Sequence, residues 1–371
     1  MATVIDVAKE ADVSVATVSR VLNNSFMVTE EKRERVLAAI EKVGYKVNIK
    51  NKELKRNNSK VILVITGTLI EDLFNSFQDT AGELGYHVIY HYCSNPNSTE
   101  GAKEVINILK NNIIAGIVLL DIAESNNEFK QVISHYPVVQ IGKPLLDTTD
   151  KYIVSADDRT IAYDVVSHLI QTGKKRIAII SGATEGKFVN FEHEREKGYI
   201  DALRDHDLPC DDSLKFHVDF TMDGGSDATK KILALENRPD SIFCISDNLA
   251  VGCIYRLKRA GISIPDEISV AGIDNSEITE FFDPPITTVD QSFKEIGSET
   301  IKMLVSLING ELSRGRKIYI EHQLVVRSST SKEIWYKKKS TDIWNEINHL
   351  YICTFFHQMQ DTHRESSCFQ I

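Results

Sequence analysis

The sequence predicts two parts of different fold class, a small all-α helix-turn-helix domain followed by a larger α/β domain of two lobes. Short helical patterns with capping residues fill the first 45 residues. From Val61 to about residue 330, short apolar runs alternate with helical patterns. Residues 1–60 carry a net charge of +4 and the remainder carries −14. A small basic end on a larger acidic chain predicts that only this end binds a polyanion, and the alternative is that the basic residues form a solvated, flexible linker.

The bulk composition is that of a folded, water-soluble protein. The chain has 371 residues, enough for two or three domains, with 42% hydrophobic and 26% charged residues. It contains no apolar run of about 18 residues and no secretory leader pattern, so we expect a cytoplasmic protein without a membrane segment. The six cysteines form no CxxC pair, which predicts reduced thiols.

Capping signals divide the first 45 residues into three short helices. Thr3, Ser14 and Thr29 each stand before an apolar pattern of helical spacing, and Gly44 ends the last one. The first two helices are separated only by a tight turn, which is typical of a helix-turn-helix. The predicted buried positions are Ile5, Ala8 and Ala11, then Val18, Val21 and Leu22, then Val36, Leu37, Ile40 and Val43.

The second helix carries the side chains expected of a surface that reads duplex DNA. Arg20 can donate two hydrogen bonds to a guanine edge, and the small apolar Val15 and Ala16 can lie against a thymine methyl group. Short polar side chains beside them are candidate phosphate contacts. The alternative is a three-helix packing module that binds nothing. The phosphate candidates are Thr17, Ser19, Asn23 and Asn24.

The stretch "ATVIDVAKEADVSVATVSRVLNN" resembles the N-terminal headpiece of the LacI/GalR family of bacterial repressors. "ERVLAAIEKVGY" resembles the third helix of that headpiece, and the similarity continues to Thr330. The resemblance implies a homodimer on palindromic, double-stranded operator DNA. It also implies that the large domain is a sensor of the type I periplasmic-binding-protein-like fold, which binds a small-molecule effector between its lobes.

The resemblance implies a hinge or linker at residues 46–60, between the headpiece at 1–45 and the sensor at 61–330. In that family a hinge leucine wedges into the minor groove, and Leu54 occupies its place, followed by Lys55. Lys50 and its basic neighbours are then expected to neutralise phosphates. The segment departs from the family pattern at three positions, Val47, Asn51 and Lys52.

Apolar strands between helical stretches predict parallel sheets covered on both faces in the large domain. We expect an N-lobe at about 61–160 and 291–320, and a C-lobe at about 161–290 and 321–330. Residues 331–371 form an atypical tail that the family resemblance does not cover. The predicted strands are 61–66, 87–93, 116–120, 137–142, 176–180, 241–245 and 268–274, and the predicted helices include 99–112, 158–173, 193–206, 247–260 and 293–310.

The family resemblance also implies the effector contacts. The segment "DLFNSF" is similar to a first-lobe loop that presents an aromatic ring. Aromatic faces with carboxylates and an arginine suit a sugar, and a nucleoside is the alternative. For each acid, the competing interpretation is an ordinary helix N-cap. The implied contacts are Phe74, Asp157, Arg195, Phe220, Asp247 and Asp274.

Motifs of enzyme chemistry are weak in this sequence. "SGATEGKF" has three residues between its glycines, where a phosphate-binding P-loop needs four. His87 and His91 share a strand face with no third metal ligand evident. We therefore expect no catalytic residues, no metal site and no cofactor. The rival interpretation is a sugar-processing enzyme with an accessory headpiece, and the sign of effector control, inducer or corepressor, stays open.

Overall fold

The computed structural model describes residues 3–22, 28–43, 59–93, 99–120, 127–142, 151–182 and 190–331. The chain divides into two compact units, unit 1 (Met1–Ser155 and Phe293–Ile318) and unit 2 (Ala156–Ser292 and Tyr319–Ile371). The sequence-based lobe limits near 160, 290 and 320 compare with chain crossings at 155, 292 and 318. Most of the predicted hinge and nearly all of the tail lie outside the described residues.

The N-terminal segment forms three helices: α1 (Val4–Glu10), α2 (Val15–Leu22) and α3 (Glu30–Val43). Thr3 caps α1 in a reciprocal capping box with Asp6, as its spacing predicts. The hydroxyl of Ser14 accepts a hydrogen bond of 3.1 Å from the backbone N–H of Thr17 at the start of α2. These caps satisfy backbone donors that a helix leaves unpaired at its N-terminus.

The three helices share one small apolar core. Two of the predicted core positions, Ile5 and Leu37, are wrong, because both side chains are exposed. The inward face of α3 is set by Val36 and Ala39, and Leu37 is rotated about 100° from Val36 around the helix axis. The core residues are Val7, Ala8, Ala11, Val18, Val21, Val36 and Ala39.

Unit 1 contains a six-stranded sheet in the order β11-β5-β4-β3-β1-β2, in which β1 to β5 pair in parallel. Its strands are β1 (Val61–Thr66), β2 (His87–Tyr92), β3 (Gly116–Leu120), β4 (Val138–Ile141), β5 (Tyr152–Ser155) and β11 (Arg316–Tyr319). Its helices are α4 (Glu71–Glu83), α5 (Thr99–Asn111), α6 (Asn127–Ile133) and α12 (Phe293–Ile308).

Unit 2 contains a four-stranded parallel sheet in the order β7-β6-β8-β9 and an antiparallel pair, β10-β12. Its strands are β6 (Ile177–Gly182), β7 (Lys215–Val218), β8 (Ser241–Cys244), β9 (Ser269–Ala271), β10 (Thr288–Asp290) and β12 (Gln323–Val325). Its helices are α7 (Asp158–Gln171), α8 (Asn190–Asp205), α9 (Met222–Leu233), α10 (Asp247–Arg259) and α11 (Ile278–Phe281).

The expected α/β architecture with parallel sheets is confirmed, but one local prediction is wrong. "DLFNSF" belongs to helix α4 and is not a loop. Acidic residues occupy the first turn of α4, and its buried residues Leu73, Phe77 and Ala81 are four positions apart, on one face of the helix. Phe74 therefore stands on the first turn of a helix, and its ring is stacked 4.7 Å from that of Tyr90.

Glycines allow helices of unit 2 to approach at backbone distance. A Cβ atom at Gly252 on α10 would overlap the carbonyl of Met222 on α9, and one at Gly225 on α9 would overlap the carbonyl of Leu249. A Cβ atom at Gly198 on α8 would likewise overlap the carbonyl of Arg159 on α7. Both helix pairs therefore require hydrogen in place of a side chain at these positions.

Among the described helices, none is long and apolar enough to cross a membrane.

Candidate functional site

Helix α2 presents one continuous exposed face. Val15, Ala16, Ser19 and Arg20 are exposed, whereas Val18 is fully buried. The hydroxyl groups of Thr17 and Ser14 lie 2.9 Å apart, within the cap of this helix. The exposed face has the one-arginine, small-residue composition expected for contact with base edges. Asn23, Asn24, Lys50, Leu54 and Lys55, also predicted DNA contacts, lie outside the described residues.

Arg195 on α8 is the centre of a polar cluster in unit 2. It is only 4% exposed, and its Nε donates to the Asp158 carboxylate at 2.9 Å. Its Nη1 donates to the Ile245 carbonyl at 2.5 Å, just beyond the end of β8. Burial raises the pKa of Asp158, while the facing guanidinium lowers it. The arginine is thus held by one partner on α7 and one immediately after β8, which is a geometry suited to orienting a ligand.

Two aromatic rings lie beside this arginine. The guanidinium carbon of Arg195 lies 4.7 Å from the centre of the Phe191 ring. Phe191 meets Phe220 edge to face, with centroids 5.5 Å apart and an interplanar angle of 65°. Gly182, the last residue of β6, leaves the space that these groups fill, because a Cβ there would overlap the Phe220 ring and the Glu192 carboxylate. The cluster therefore combines charge with apolar surface.

Glu192 is a buried carboxyl group that the sequence analysis did not single out. It is 5% exposed, and burial raises its pKa to about 7, with Arg195 acting in the opposite direction. A buried carboxyl with a pKa in this range can accept a hydrogen bond when ionised and donate one when protonated. The signal was present in "FEHER", because Glu192 and Arg195 are three positions apart on one helix face.

Asp274 lies in the loop after β9 and has a strained backbone. Its φ is 119°, and that of Asn275 is 52°, both in the left-handed region. Gln291 donates to the Asp274 carboxylate at 2.7 Å. Burial raises the pKa of Asp274 to about 6, opposed by Arg195 and by this hydrogen bond. Strain maintained beside a buried charge is typical of functional loops.

Asp247 is hydrogen-bonded to the loop that contains Asp274. It is 2% exposed at the first turn of α10, where Ser246 is the N-cap. One carboxylate oxygen accepts from Thr288 Oγ1 at 2.7 Å. The other accepts from the N–H and the hydroxyl of Ser276, at 2.8 and 2.9 Å. Burial raises its pKa to about 7. Its bonds connect α10, β10 and the Asp274 loop.

Two other predicted effector residues have a structural partner already. Asp157 caps α7 by accepting a hydrogen bond of 3.3 Å from the N–H of Thr160, which is the alternative that the sequence left open for each acid. Phe74 stacks on Tyr90, whose hydroxyl donates to the Phe74 carbonyl at 2.9 Å. Arg195 and Phe220 thus belong to one cluster, while Asp157 has a capping role. Contact of these residues with an effector stays a prediction.

The raised pKa of Glu192 predicts a pH dependence of stability. In the unfolded chain this carboxyl has an ordinary pKa of 4.5, so between pH 4.5 and 7 the folded state binds more protons. Stability must therefore fall as the pH rises through that window. Glutamine does not titrate, so Glu192→Gln should escape this loss. Between pH 5 and pH 8 its free energy of unfolding, measured with denaturant, should rise by about 2 kcal/mol relative to that of the wild type.

Glu194→Gln is the matched control, since this acid lies on the same helix, is only half-buried and pairs with Lys197. It is expected to follow the wild-type pH profile. A Glu192→Gln protein that also follows the wild-type profile would show that Glu192 is not buried as described.

Comparison with known proteins gives consistent matches along the chain. The model for bacterial regulatory proteins of the lacI family matches residues 3–48, and the model for a periplasmic binding protein-like domain matches residues 166–330. The Escherichia coli K12 protein named HTH-type transcriptional repressor CytR is 33% identical over 333 residues, covering 89% of this chain and 96% of that protein. The Bacillus subtilis HTH-type transcriptional regulator DegA is 32% identical, covering 89% of this chain and 98% of its own.

A solved structure, the transcriptional regulator CelR-cellobiose complex, superposes with a TM-score of 0.67 at 26% identity, covering 89% of this chain and all of that one. The capped three-helix segment, the parallel α/β units and these relatives agree along nine-tenths of the sequence, and the chain belongs to the lacI family of bacterial transcriptional regulators.

Proposed function

We propose that this regulator is a repressor that binds palindromic operator DNA as a homodimer and changes its affinity when a sugar binds at the Arg195 cluster. The observation that supports an effector site most strongly is the buried Arg195, held by Asp158 and the Ile245 carbonyl beside two aromatic rings. Such a regulator of chromosomal DNA acts in the cytoplasm. The relatives carry names of transcriptional regulators, in line with a protein that is not an enzyme.

The chemistry of the cluster suits a polyhydroxylated ligand. Sugar hydroxyls donate to carboxylates such as Asp274 and Glu192 and accept from a guanidinium, while ring C–H groups pack on aromatic side chains. The structural relative CelR was solved with cellobiose, which supports a sugar. A nucleoside is the second candidate, because the Phe191–Phe220 pair also offers a surface on which a base can stack.

A selection experiment tests the whole proposal. Purified full-length protein is incubated with genomic DNA fragments, and retained fragments are sequenced and retested with cellobiose, glucose, cytidine and adenosine. We expect enrichment of palindromic sites and a shift in operator affinity with a sugar. If no genomic fragment were retained better than random duplex DNA, operator binding would be rejected. If only a nucleoside shifted the operator affinity, the effector would be a nucleoside and not a sugar. Chemical turnover of a ligand would favour the enzyme alternative.

The role of Arg20 predicts a specific change in operator recognition. A bidentate arginine–guanine contact contributes about 1–3 kcal/mol of discrimination, so Arg20→Ala should flatten base preference at one position of each half-site. Lys50→Ala, as a phosphate contact, should weaken all sequences alike and reduce the salt slope by about one. Binding to mutated operators at several salt concentrations distinguishes the two. Unchanged preference in Arg20→Ala would remove it from the base-reading surface.

Exposed apolar residues on three helices of unit 2, α9, α10 and α11, support the homodimer. Met222 lies against Gly252 on α10, and the exposed Tyr255 follows one turn later. Lys258 on the same helix binds Asp283, two residues beyond the exposed Phe281. Exposed apolar side chains of this kind are typical of a subunit interface, and we infer that the second copy of the proposed homodimer covers them.

We expect Phe281→Asp to weaken the dimer at least about tenfold, since a carboxylate would replace a large apolar contact. Sedimentation of the wild type and the variant over a range of concentrations measures this. Ile5→Asp, which alters an exposed apolar residue of the headpiece, is the control and should leave the dimer intact. A dimer that withstands Phe281→Asp would exclude these residues as the interface.

A further inference from the structure

Three metal-ligand side chains converge at the end of strand β2 in unit 1. The imidazole of His91, the thiol of Cys93 and the carboxylate of Glu104 place one ligand atom each within 4.8 Å of one another. The sequence analysis considered His91 together with His87, and the cluster does not include His87. His91 and Cys93 are two positions apart and share one side of the strand, and Glu104 comes from α5. No pattern in the linear sequence joins Glu104 to the other two.

The imidazole of His91 supplies a second observation. Its buried Nε2 has no hydrogen-bond partner among the described residues, and a carboxylate oxygen of Glu104 lies 3.8 Å away. That distance is too long for a hydrogen bond. A buried polar nitrogen left unpaired costs about 1–3 kcal/mol, so folded proteins rarely leave one without a function. Coordination of a cation would satisfy it.

The donor set indicates the class of cation. Imidazole, thiolate and carboxylate together suit zinc and similar borderline divalent ions, and they do not suit calcium or magnesium, which prefer oxygen ligands. Bonds of roughly 2.0–2.3 Å in a tetrahedron place ligand atoms about 3.3–3.7 Å apart. The described atoms must therefore close in by about 1 Å. The Glu104 side chain is 65% exposed, so most of its surface faces solvent and it has room to move toward the other two ligands.

We propose that His91, Cys93 and Glu104 bind a divalent cation of the zinc class, with water in the fourth position. The cation replaces the thiol proton of Cys93, which is released to solvent, and neutral His91 coordinates through Nε2. The bound ion connects the end of the edge strand β2 to helix α5, and so stabilises unit 1.

Cobalt(II) titration of the reduced, metal-free, full-length protein tests this, because cobalt bound to thiolate absorbs in the near ultraviolet and tetrahedral cobalt absorbs in the visible. The Cys93→Ser variant is expected to bind one equivalent of cobalt less than the wild type and to lack the near-ultraviolet absorption of the cobalt–thiolate bond at this site. Glu104→Gln should bind that equivalent at least tenfold more weakly. Zinc should raise the Tm of the wild type, and by several degrees less in both variants.

Two controls exclude other sites. Cys210→Ser changes an exposed thiol of unit 2, and His87→Ala changes the neighbouring histidine of strand β2. Both variants should retain the Cys93-dependent equivalent. Because Glu104 is exposed, Glu104→Gln is informative even where Cys93→Ser folds poorly. Wild-type cobalt stoichiometry and affinity in both Cys93→Ser and Glu104→Gln would overturn the proposal.

Discussion

Arg195→Leu is expected to eliminate the effector response and to destabilise unit 2 by about 3–5 kcal/mol. The substitution removes the partner of Asp158 and leaves a buried carboxyl without its hydrogen bond of 2.9 Å. Asp158 already has a pKa raised by burial, and loss of the guanidinium that lowers it must raise it further. The variant should therefore be least stable at high pH, where ionisation of Asp158 is enforced.

Arg159→Leu is the matched control, one position beyond Asp158 on α7. Arg159 pairs with Asp201 at the surface, and its side chain is half exposed, so its loss should cost no more than about 1 kcal/mol. Calorimetric titration with the effector and denaturant unfolding measure both properties. Arg195→Lys separates them, since a lysine keeps the charge without the forked donors. An Arg195→Leu protein that binds effector normally would remove Arg195 from the site.

Gly252→Ala is expected to destabilise unit 2 by about 3 kcal/mol, although it adds a single methyl group. That methyl would overlap the backbone carbonyl of Met222, and a backbone atom cannot move aside as the end of a flexible side chain can. Helices α9 and α10 must separate, which would also disturb Gly225 against the Leu249 carbonyl. Denaturant unfolding monitored by circular dichroism reports the loss.

Gly82→Ala provides the opposite result in the same protein. Gly82 is in helix α4, and no atom lies within 4 Å of a Cβ built there. The alanine therefore adds helix propensity without a clash and should stabilise by about 0.5–1 kcal/mol. If both substitutions changed stability equally, helix propensity rather than backbone contact would control the effect at Gly252.

Local signals made the headpiece predictable to within a few residues. Caps at Thr3 and Ser14 mark helix starts through hydrogen bonds to the next turn, which a sequence displays directly. The misplacement of Leu37 shows the limit of this reasoning. Leu37 is apolar and adjoins the predicted apolar face of α3. The core of three short helices contacts only one side of α3, however, and the sequence alone does not show which side that is.

The sensor units were predictable in type and less so in detail. Continuous apolar strands identify buried parallel sheets. Strand β7 ("KFHV") lies at a sheet edge and mixes polar and apolar residues, so its sequence pattern is too weak to predict a strand. Helix α4 was not predicted, because "DLFNSF" was interpreted as a loop from its resemblance to the family, although its apolar residues have helical spacing.

The cluster around Arg195, our proposed effector site, was predictable where one residue type carries the signal. Arg195 and Phe220 lie in one cluster, with Asp274 close enough to influence the same charges. Glu192 and Asp158 were missed because their importance comes from burial beside Arg195, and burial of a charged residue depends on packing between α7 and α8. The backbone strain at Asp274 likewise has no sequence signal.

The separate apolar core of the three N-terminal helices has a thermal consequence. Seven small or medium side chains form it, and none comes from the α/β units among the described residues. So few buried groups provide little cooperativity, and a domain of this size is marginally stable by itself. On warming, these helices should melt first. A heated cell would then lose control of transcription while the protein still holds its metabolite.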